Sequence, residues 1–256
     1  MLFPYWKRKL AMAKAAQIRI GTSGWSYGHW RGNFYPEKLT NSKMFDYYSK
    51  QLNTVEINSS FYRLPLKETF EKWRDRSTED FLFAVKASRF ITHIKKLKDC
   101  GQAIEKFSER ASGLGEKIGP VLLQLPPGVK RNAEVLRGFL RQLPNHLRYS
   151  FEFRNPDWFH PEIYSLPAEF KAALCIYELN GQTAPLEVTT DFVHVRLHGP
   201  DGKYRGRYSP GQLRTWREKF SEWAGQSRDV FCYFDNDEKG FAALNARELQ
   251  QLVSGG

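Results

Sequence analysis

The sequence has 256 residues, of which 41% are hydrophobic and 26% charged, a balance typical of one large globular domain or two small ones. Its formal net charge of +11 favours anionic partners such as nucleic acid or phosphorylated small molecules, although many basic proteins bind neither. No apolar run approaches the roughly 18 residues of a membrane-spanning helix, so we expect a cytoplasmic protein without a membrane partner.

Residues 1–16 are interpreted as a basic extension ahead of the first predicted strand. Lys7, Arg8 and Lys9 interrupt its apolar run, which argues against a secretory signal peptide. The three cysteines lie far apart, without the spacing of a disulfide framework or a metal site, as expected in a reducing cytosol. Residues 17–256 contain no linker or shift in composition, so we expect them to form a single domain.

Eight short apolar or alternating runs predict β-strands, and segments of helical periodicity separate most of them. The predicted strands cover residues 18–22, 54–58, 81–86, 121–125, 148–154, 172–177, 192–198 and 230–234. Among the predicted helices, one begins at Asn132, one at Ser209, and one after Gly240. Residues 178–190, "ELNGQTAPLEVTT", lack helical periodicity and predict a loop.

Eight strands alternating with helices in a chain of this size predict a (β/α)₈ TIM barrel, an α/β fold. The helix after strand six is expected to be replaced by a loop. A doubly wound open sheet is the competing architecture. It is disfavoured because "GTSGW", at the end of the first strand, has two glycines at the wrong spacing for a dinucleotide-binding fingerprint.

The predicted strands place polar residues inside the barrel. Alternate residues of a barrel strand face the interior and the surrounding helices, and bulky apolar residues such as Val55 and Ile57 should face the helices. The polar residues left facing inward near the C-terminal ends of five strands are Glu56, Asn58, Lys86, Gln124, Glu152, Arg154, Arg196 and His198. TIM-barrel enzymes build active sites at this end, so we expect a polar site there. A structural ion-pair network that closes the barrel is the alternative, and in either case the glutamates should pair with some of the cations.

Aromatic and cationic residues follow these strands in the connecting loops. The candidates are Trp25 after the first strand, Tyr62 and Arg63 after the second, Arg89 and His93 after the third, and Trp158 after the fifth. Aromatic side chains stack on sugars or bases, and cations meet phosphate or carboxylate groups, so these residues predict ligand contacts. For any single aromatic residue, packing within its loop is the alternative.

The loop after the seventh strand, "HGPDGKYRGRYSPGQ", is rich in glycine and positive charge. It contributes the candidates Lys203, Tyr204, Arg205 and Arg207, and the loop after the eighth strand adds Asp235 and Asn236. TIM barrels often bind phosphate with these two loops, and the seventh leads to a helix N-terminus whose free amides favour an anion. The sequence therefore predicts a phosphate site here, with a flexible basic loop as the alternative.

The spacing of His194 and His198 resembles a zinc motif but does not predict one here. The two residues lie in a predicted strand, where four residues span roughly 13 Å, so they cannot share a metal ion. The cations Lys86, Arg154 and Arg196 would also repel a metal from the barrel mouth. Neither a P-loop nor a nucleophile elbow is present in the sequence, and we expect no cofactor.

Several stretches of the sequence together resemble the family named domain of unknown function 72, or YecE-like proteins. They are "GTSGWSYGHWRGNFYP", "TVEINSSFYRLP", "FAVKASRFITH", "GPVLLQLPP", "FEFRNPDW", "VRLHG" with "KYRGRY", and "YFDND", and the resemblance extends over residues 18–252. The resemblance implies a TIM barrel and no established reaction. Similarity in fold to barrel endonucleases and sugar isomerases suggests nucleic-acid or sugar chemistry by analogy. Asp235 is a departure, because the family leads us to expect asparagine there.

These residues support three functional hypotheses. In the first, the barrel mouth binds an anionic, phosphate-bearing ligand, with Glu56 and Glu152 as acid and base and Lys86, Arg154 and Arg196 stabilising charge. Phosphodiester hydrolysis is the expected reaction if that ligand is nucleic acid. In the second, a sugar or sugar phosphate undergoes isomerisation, glycoside hydrolysis, or lyase chemistry with Lys86 as a Schiff-base nucleophile. In the third, the protein is a non-catalytic module that binds nucleic acid through its basic surface.

Overall fold

A computed structural model describes residues 15–255 and shows a closed barrel of parallel β-strands. The strands are β1 (Ile18–Ser23), β2 (Thr54–Ile57), β3 (Leu82–Lys86), β4 (Ile118–Leu125), β5 (Tyr149–Phe153), β6 (Ala173–Leu179), β7 (Phe192–Leu197) and β8 (Asp229–Phe234). Each strand pairs with the next, and the pairing of β8 with β1 closes the barrel. This is the TIM barrel that the sequence predicts.

Helices connect the strands on the outside of the barrel. They are α1 (Met44–Gln51), α2 (Ser59–Tyr62), α3 (Lys67–Arg76), α4 (Gly101–Ala111), α5 (Ala133–Leu140), α6 (Pro161–Glu169), α7 (Pro210–Gly225) and α8 (Phe241–Ser254). The predicted caps Asn132 and Ser209 each accept a hydrogen bond from a backbone amide in the first turn of α5 and α7. Gly240, with a φ of 75°, precedes α8 as predicted.

Most of the apolar core lies between the strands and the helices. Val55 and Ile57 on β2 are buried in this layer, and so are Phe83 and Val85 on β3, as the alternation predicts. A much smaller apolar cluster on the opposite faces of the strands consists of Ala84, Ala173, Phe192, Phe231 and Tyr233. The rest of the barrel interior is therefore left to the polar residues of the same strands.

The connection from β6 to β7 contains no helix in the described chain. Residues 182–183 fold back on the end of β6 as a short antiparallel strand, and an irregular segment then leads to β7. The predicted loop after strand six is therefore confirmed. Among the strands, β4 begins earlier than predicted, at Ile118, because Gly119 and Pro120 are weak strand formers that hide its start in the sequence.

Most of the predicted N-terminal extension, residues 1–14, lies outside the described residues. Between residues 15 and 255, no helix is both long enough and apolar enough to cross a membrane. The structural account below therefore concerns the barrel and its loops.

Candidate functional site

A buried guanidinium lies at the centre of a charged network at the C-terminal end of the barrel. Arg196, near the end of β7, is 1% exposed. Its Nη2 donates to Glu56 Oε1 at 2.8 Å and to Asp235 Oδ2 at 3.2 Å. Its Nη1 donates to Glu152 Oε2 at 2.8 Å. One cation therefore binds carboxylates from β2, from β5 and from the segment after β8.

This network keeps both buried glutamates ionised. Burial alone would raise the pKa of Glu56, but Arg196, followed by His194, holds it well below the usual range for a carboxyl. Burial likewise opposes the ionised form of Glu152, and the guanidiniums of Arg154 and Arg196 outweigh burial, so its pKa is also lowered. A general acid needs a pKa near the working pH. In this geometry both glutamates are carboxylates bound to guanidiniums, and their acid and base roles stay a prediction.

His198 joins the network as a neutral imidazole. Arg154 Nη2 donates to His198 Nε2 at 2.8 Å, and because a guanidinium has only donors, Nε2 carries no proton. Nδ1 therefore carries the proton and donates to Asp235 Oδ2 at 3.1 Å. Burial and then the charge of Arg196 lower the pKa of His198, in agreement with the neutral form. Arg154 Nε also donates to Glu152, so two partners fix this guanidinium.

Lys86, the last residue of β3, has an amine that stands apart from the ion pairs. Within residues 15–255 its Nζ forms no hydrogen bond or salt bridge, and it lies 4.6 Å from the centre of the Phe61 ring. Burial, followed by the charge of Arg196, lowers its pKa against the attraction of nearby carboxylates. The predicted pairing of glutamates with cations is thus confirmed for Arg154 and Arg196, but not for Lys86.

A cleft of about 450 Å³ opens at the same end of the barrel. Its cations are Lys86, Arg154 and Lys203, and its rings are Phe61, Tyr62, His93, Phe159, Tyr177 and Tyr204. No aspartate or glutamate of the described chain lines it, and Glu56 and Glu152 are fully buried. The cleft therefore presents positive charge and aromatic surface to a ligand.

A larger cleft, of about 670 Å³, lies at the N-terminal end of the barrel. Charged groups of this cleft stabilise the fold. Lys117 Nζ, for example, donates to the backbone oxygens of Arg74 and Thr78. Arg148 in the same cleft pairs with Asp229 at 2.7 Å. TIM-barrel active sites lie at the opposite end. The smaller cleft is therefore the candidate functional site.

The structure brings most of the predicted site residues together. The buried network contains Glu56, Glu152, Arg154, Arg196, His198 and Asp235, and the cleft wall contains Tyr62, Lys86, His93, Gln124, Arg154, Lys203 and Tyr204. The inward-facing members come from strand alternation, which places Glu56, Lys86, Glu152 and Arg196 as predicted. The others come from loops that follow those strands.

The two histidines of β7 lie at different depths, as strand geometry predicts. His194 is fully buried and its Nε2 lies 3.5 Å from Glu56 Oε2, whereas His198 contacts Asp235. Among the described residues, no group of three or more His, Cys, Asp or Glu side chains is placed to hold a metal ion. The HxxxH spacing therefore does not form a shared site.

Trp158 lies in the protein interior and not on the cleft wall. It is 1% exposed, and its ring stacks on Phe153 with a centroid distance of 4.5 Å. Its Nε1 donates to Val129 O at 2.8 Å, so the indole has no free donor for a ligand. Because Phe153 faces the helices, the turn Pro156–Trp158 folds the indole onto the core. The position of Trp158 is therefore explained by packing, the alternative to a ligand contact.

Trp25 and Asn58 lie beside a separate depression. The Trp25 ring packs against Phe45 and Trp73, with centroid distances of 5.1 Å in both cases. The prediction that Asn58 faces the barrel interior is wrong. The chain turns into α2 at Ser59, so the strand alternation ends before Asn58.

The two arginines of the loop after β7 do not line the cleft. Arg205 is exposed, and its Nε lies 3.6 Å from Glu238 Oε1. Arg207 pairs with Glu248 on α8. Three cations of this loop were predicted to form a phosphate site, and of these Lys203 lines the cleft.

Three further predicted residues also lie outside the cleft wall. Asn236 is fully buried, and its Nδ2 donates to Gly206 O at 2.9 Å, which holds the loop after β7 in place. Arg63 and Arg89 are exposed on the loops after β2 and β3, and neither forms a salt bridge within the described part of the chain.

Ser23 and Tyr177 are among the site residues that were not predicted. Ser23, at the end of β1, donates to Glu56 Oε1 at 2.7 Å. The ring of Tyr177 on β6 lies 4.6 Å from the central guanidinium carbon of Arg154. Alternation contains the signal for Tyr177, because Leu174 and Ile176 are in the core against the helices and the residues between and after them must face inward.

Acidification should destabilise the protein through Glu56 and Glu152. Their pKa values are lowered in the folded state, whereas an unfolded glutamate has a pKa of about 4.3. Their contribution to stability is therefore fully present above about pH 5 and is lost as the pH falls towards the folded-state values. Each carboxyl contributes a slope of up to about 1.4 kcal/mol per pH unit, which urea unfolding at a series of acidic pH values measures.

The control for this slope is Glu169→Gln, which changes an exposed carboxyl on α6. Glu152→Gln should make the dependence of unfolding free energy on pH shallower, whereas Glu169→Gln should leave it close to wild type. A slope that Glu152→Gln does not change would contradict the lowered pKa.

Comparison with known proteins connects this geometry to one family. The family model described as "Protein of unknown function DUF72" matches residues 19–255. The UPF0759 protein YunF of Bacillus subtilis is 29% identical over 270 residues, covering 92% of this chain and 94% of that protein. The UPF0759 protein YecE of Escherichia coli K12 is 34% identical over 143 residues, covering 56% of this chain and 50% of that protein. The crystal structure of a DUF72 family protein from Thermotoga maritima has a TM-score of 0.85 and 26% identity, covering 93% of this chain and 99% of that one. The chain therefore belongs to the DUF72 family of proteins of unknown function.

Proposed function

We propose that the cleft at the C-terminal end of the barrel binds a small anionic molecule that carries a flat or apolar ring. The composition of the cleft wall is the observation that carries this proposal. Lys86, Arg154 and Lys203 line it, whereas no carboxylate of the described residues does. Charged groups interact more strongly where water is partly excluded, so these cations favour a phosphate or carboxylate group.

Arg154 is positioned for such an anion before any ligand arrives. Glu152 and His198 hold its guanidinium through hydrogen bonds, and Tyr177 covers one face of it. A side chain that is already ordered loses little conformational entropy on binding. The planar guanidinium also matches the geometry of phosphate and carboxylate oxygens. Arg154 is therefore the principal anion-binding group of the proposal.

The rings at the rim suit the remainder of the ligand. Tyr62 is 75% exposed and Tyr204 is 41% exposed, which is high for large aromatic side chains. Exposed rings of this kind stack on sugars, bases and other flat groups. The volume of the cleft, about 450 Å³, corresponds to a small-molecule site.

The same geometry favours binding, or chemistry at Lys86, over phosphodiester or glycoside hydrolysis. A hydrolase would use Glu56 and Glu152 as proton donor and acceptor. Each is instead bound to a guanidinium, and the pKa of each is lowered. We therefore assign the pair an electrostatic role, in which it holds Arg154 and Arg196.

Lys203→Ala is expected to weaken the binding of a ring-bearing phosphate ester about five- to tenfold, because one of the cleft cations is lost (about 1–1.4 kcal/mol). Pyridoxine 5′-phosphate, which carries a flat ring and a phosphate, is the probe, and calorimetric titration is the measurement. Arg205→Ala is the matched control, since it removes a cation of the same loop that lies outside the cleft. It should retain wild-type affinity. Equal weakening in both variants, or no binding of the probe at millimolar concentration, would overturn the proposal.

A nucleic-acid ligand is the second candidate, and exposed cations and rings in the segments after β2 and β3 favour it. Arg63 and Arg89 have no acidic partner among the described residues, and the exposed rings of Tyr62 and Phe90 are adjacent to them in sequence. Bases of a single strand stack on such rings while cations follow the phosphates. A single-stranded oligonucleotide is therefore the second probe in the same titration. Binding that is steeply salt-dependent and insensitive to Lys203→Ala would favour this candidate over the first.

A further inference from the structure

The amine of Lys86 is unlike that of Lys117, another half-buried lysine. Lys117 Nζ has four hydrogen-bond acceptors within 3.2 Å for its three hydrogens, namely three backbone oxygens and Ser77 Oγ. Such saturation is what a structural lysine needs, because a poorly solvated ammonium without partners is unfavourable. Lys86 Nζ has no such partner within residues 15–255. Apart from its contact with the Phe61 ring, the amine of Lys86 therefore makes no polar interaction in the described chain that holds the fold together.

Strand geometry directs this amine into the candidate cleft. Lys86 follows the inward-facing Ala84 by two residues on β3, so its side chain leaves the same face of the strand. Lys86 lines the cleft, where the ring of Phe61 lies 4.6 Å from Nζ and limits its access to water. A ligand in the cleft therefore meets the amine directly.

The surroundings favour the neutral, nucleophilic form of this amine. Burial has the largest effect on the pKa of Lys86 and lowers it, and the guanidinium of Arg196 lowers it further. Opposing charges come from Glu152, Glu56 and Asp235, but all three are already bound to Arg196. A lowered pKa lets a larger fraction of the Lys86 ammonium lose its proton, and it is the neutral amine of a lysine that attacks carbonyl groups.

We propose that Lys86 is a nucleophile that forms an imine with an aldehyde or ketone group of the anionic ligand. This inference rests on the proposed function and extends it to a substrate class, the carbonyl compounds that carry a phosphate or carboxylate group. Arg154 and Lys203 hold the anionic group, and the carbonyl carbon faces Lys86 Nζ. The nitrogen lone pair attacks that carbon and the C–O π electrons move to oxygen. The oxygen then leaves as water with two protons, which correspond to the two hydrogens of the amine, and a C=N bond remains.

Pyridoxal 5′-phosphate tests this inference, because it adds an aldehyde to the ring and phosphate of the binding probe. At a molar ratio below one, followed by reduction with borohydride, it should label Lys86 at least tenfold faster than any exposed lysine. Peptide mass spectrometry locates the label. Inorganic phosphate and pyridoxine 5′-phosphate should both slow the labelling of Lys86 by competing for the cleft.

Wild-type protein supplies a readout that does not depend on the folding of a variant. The rate of Lys86 labelling should reach half its maximum at a pH below the usual lysine pKa of about 10.4. The charged and titratable groups that face this amine are the neighbours named above together with Arg154 and His93, which line the same cleft. Exposed lysines of the same sample provide the internal reference for the rate of labelling at each pH.

Lys86→Met separates imine formation from binding. It keeps most of the apolar stem but removes one of the cleft cations, so pyridoxine 5′-phosphate should bind more weakly by no more than about tenfold, whereas borohydride trapping at this position is lost. If pyridoxine 5′-phosphate binds but Lys86 is labelled no faster than exposed lysines, the imine is excluded and the anion-binding cleft stands. If the probe does not bind and Lys86 is not preferentially labelled, both proposals fail.

Discussion

Arg196→Met is expected to lower the free energy of unfolding by about 3–5 kcal/mol. Methionine fills much of the volume of arginine but leaves Glu56, Glu152 and Asp235 without the cation that they share. Two of these carboxylates are fully buried, so solvent cannot replace the lost partner. The loss is a large part of the stability of an ordinary domain, which is about 5–15 kcal/mol. Urea unfolding at neutral pH and low temperature measures it.

Arg137→Ala is the control for this experiment. Arg137 pairs with Glu169 at 3.1 Å, but both side chains are substantially exposed, so its removal should cost about 1 kcal/mol or less. A loss below about 1 kcal/mol for Arg196→Met as well would contradict the view that the three carboxylates depend on this one guanidinium. The two variants therefore distinguish a buried network from an ordinary surface ion pair.

The strand residues of the site were predictable because side chains alternate along a strand. Val55 and Ile57 are apolar, which assigns them to the helix side and leaves Glu56 facing inward. The same argument places Arg196 and Lys86. It could not show which cation each glutamate binds, because the pairing depends on distances between strands that are far apart in sequence. The free amine of Lys86 was therefore invisible in the sequence.

Loop residues were predicted less well, because they have no periodicity that relates sequence to direction. Trp158 was expected at a ligand but stacks on Phe153, which lies outside the barrel interior. Arg205 and Arg207 were expected at a phosphate, but acidic residues much later in the chain pair with them. Composition alone could not separate these arginines from Lys203, which does line the cleft.

Stability and the proposed chemistry make opposite demands at the barrel mouth. The ion pairs of Arg196 stabilise the fold, whereas a desolvated and unpaired Lys86 amine opposes it. Functional sites commonly retain groups of this kind at some cost in stability. An unpaired amine beside a saturated ion-pair network is difficult to explain as a device that only closes the barrel. This contrast supports the proposal of a site that binds and modifies a ligand.

Gly199→Ala is expected to lower the unfolding free energy by about 2–5 kcal/mol and to weaken probe binding more than tenfold. Gly199 has a φ of 112°, and a Cβ added there would lie 2.1 Å from the carbonyl oxygen of Arg205. The loop after β7 folds back closely at this point, where Tyr204 N donates to His198 O at 2.7 Å. An alanine must push the loop away, and Lys203 and Tyr204 would leave the cleft wall with it. Urea unfolding and calorimetry with pyridoxine 5′-phosphate measure the two effects.

Gly202→Ala in the same loop separates the close contact from backbone strain. Gly202 also has a positive φ, of 136°, but an added Cβ would come no closer than 4.0 Å to its nearest neighbour, Arg205 Cδ. Gly202→Ala should therefore lower the free energy of unfolding only by the strain of the backbone, about 1–3 kcal/mol, and should retain most of the affinity for the probe. Equal losses of affinity in the two variants would show that loop strain, and not the displacement of Lys203 and Tyr204, limits binding. A loss confined to Gly199→Ala instead ties the shape of this loop directly to the anion-binding cleft.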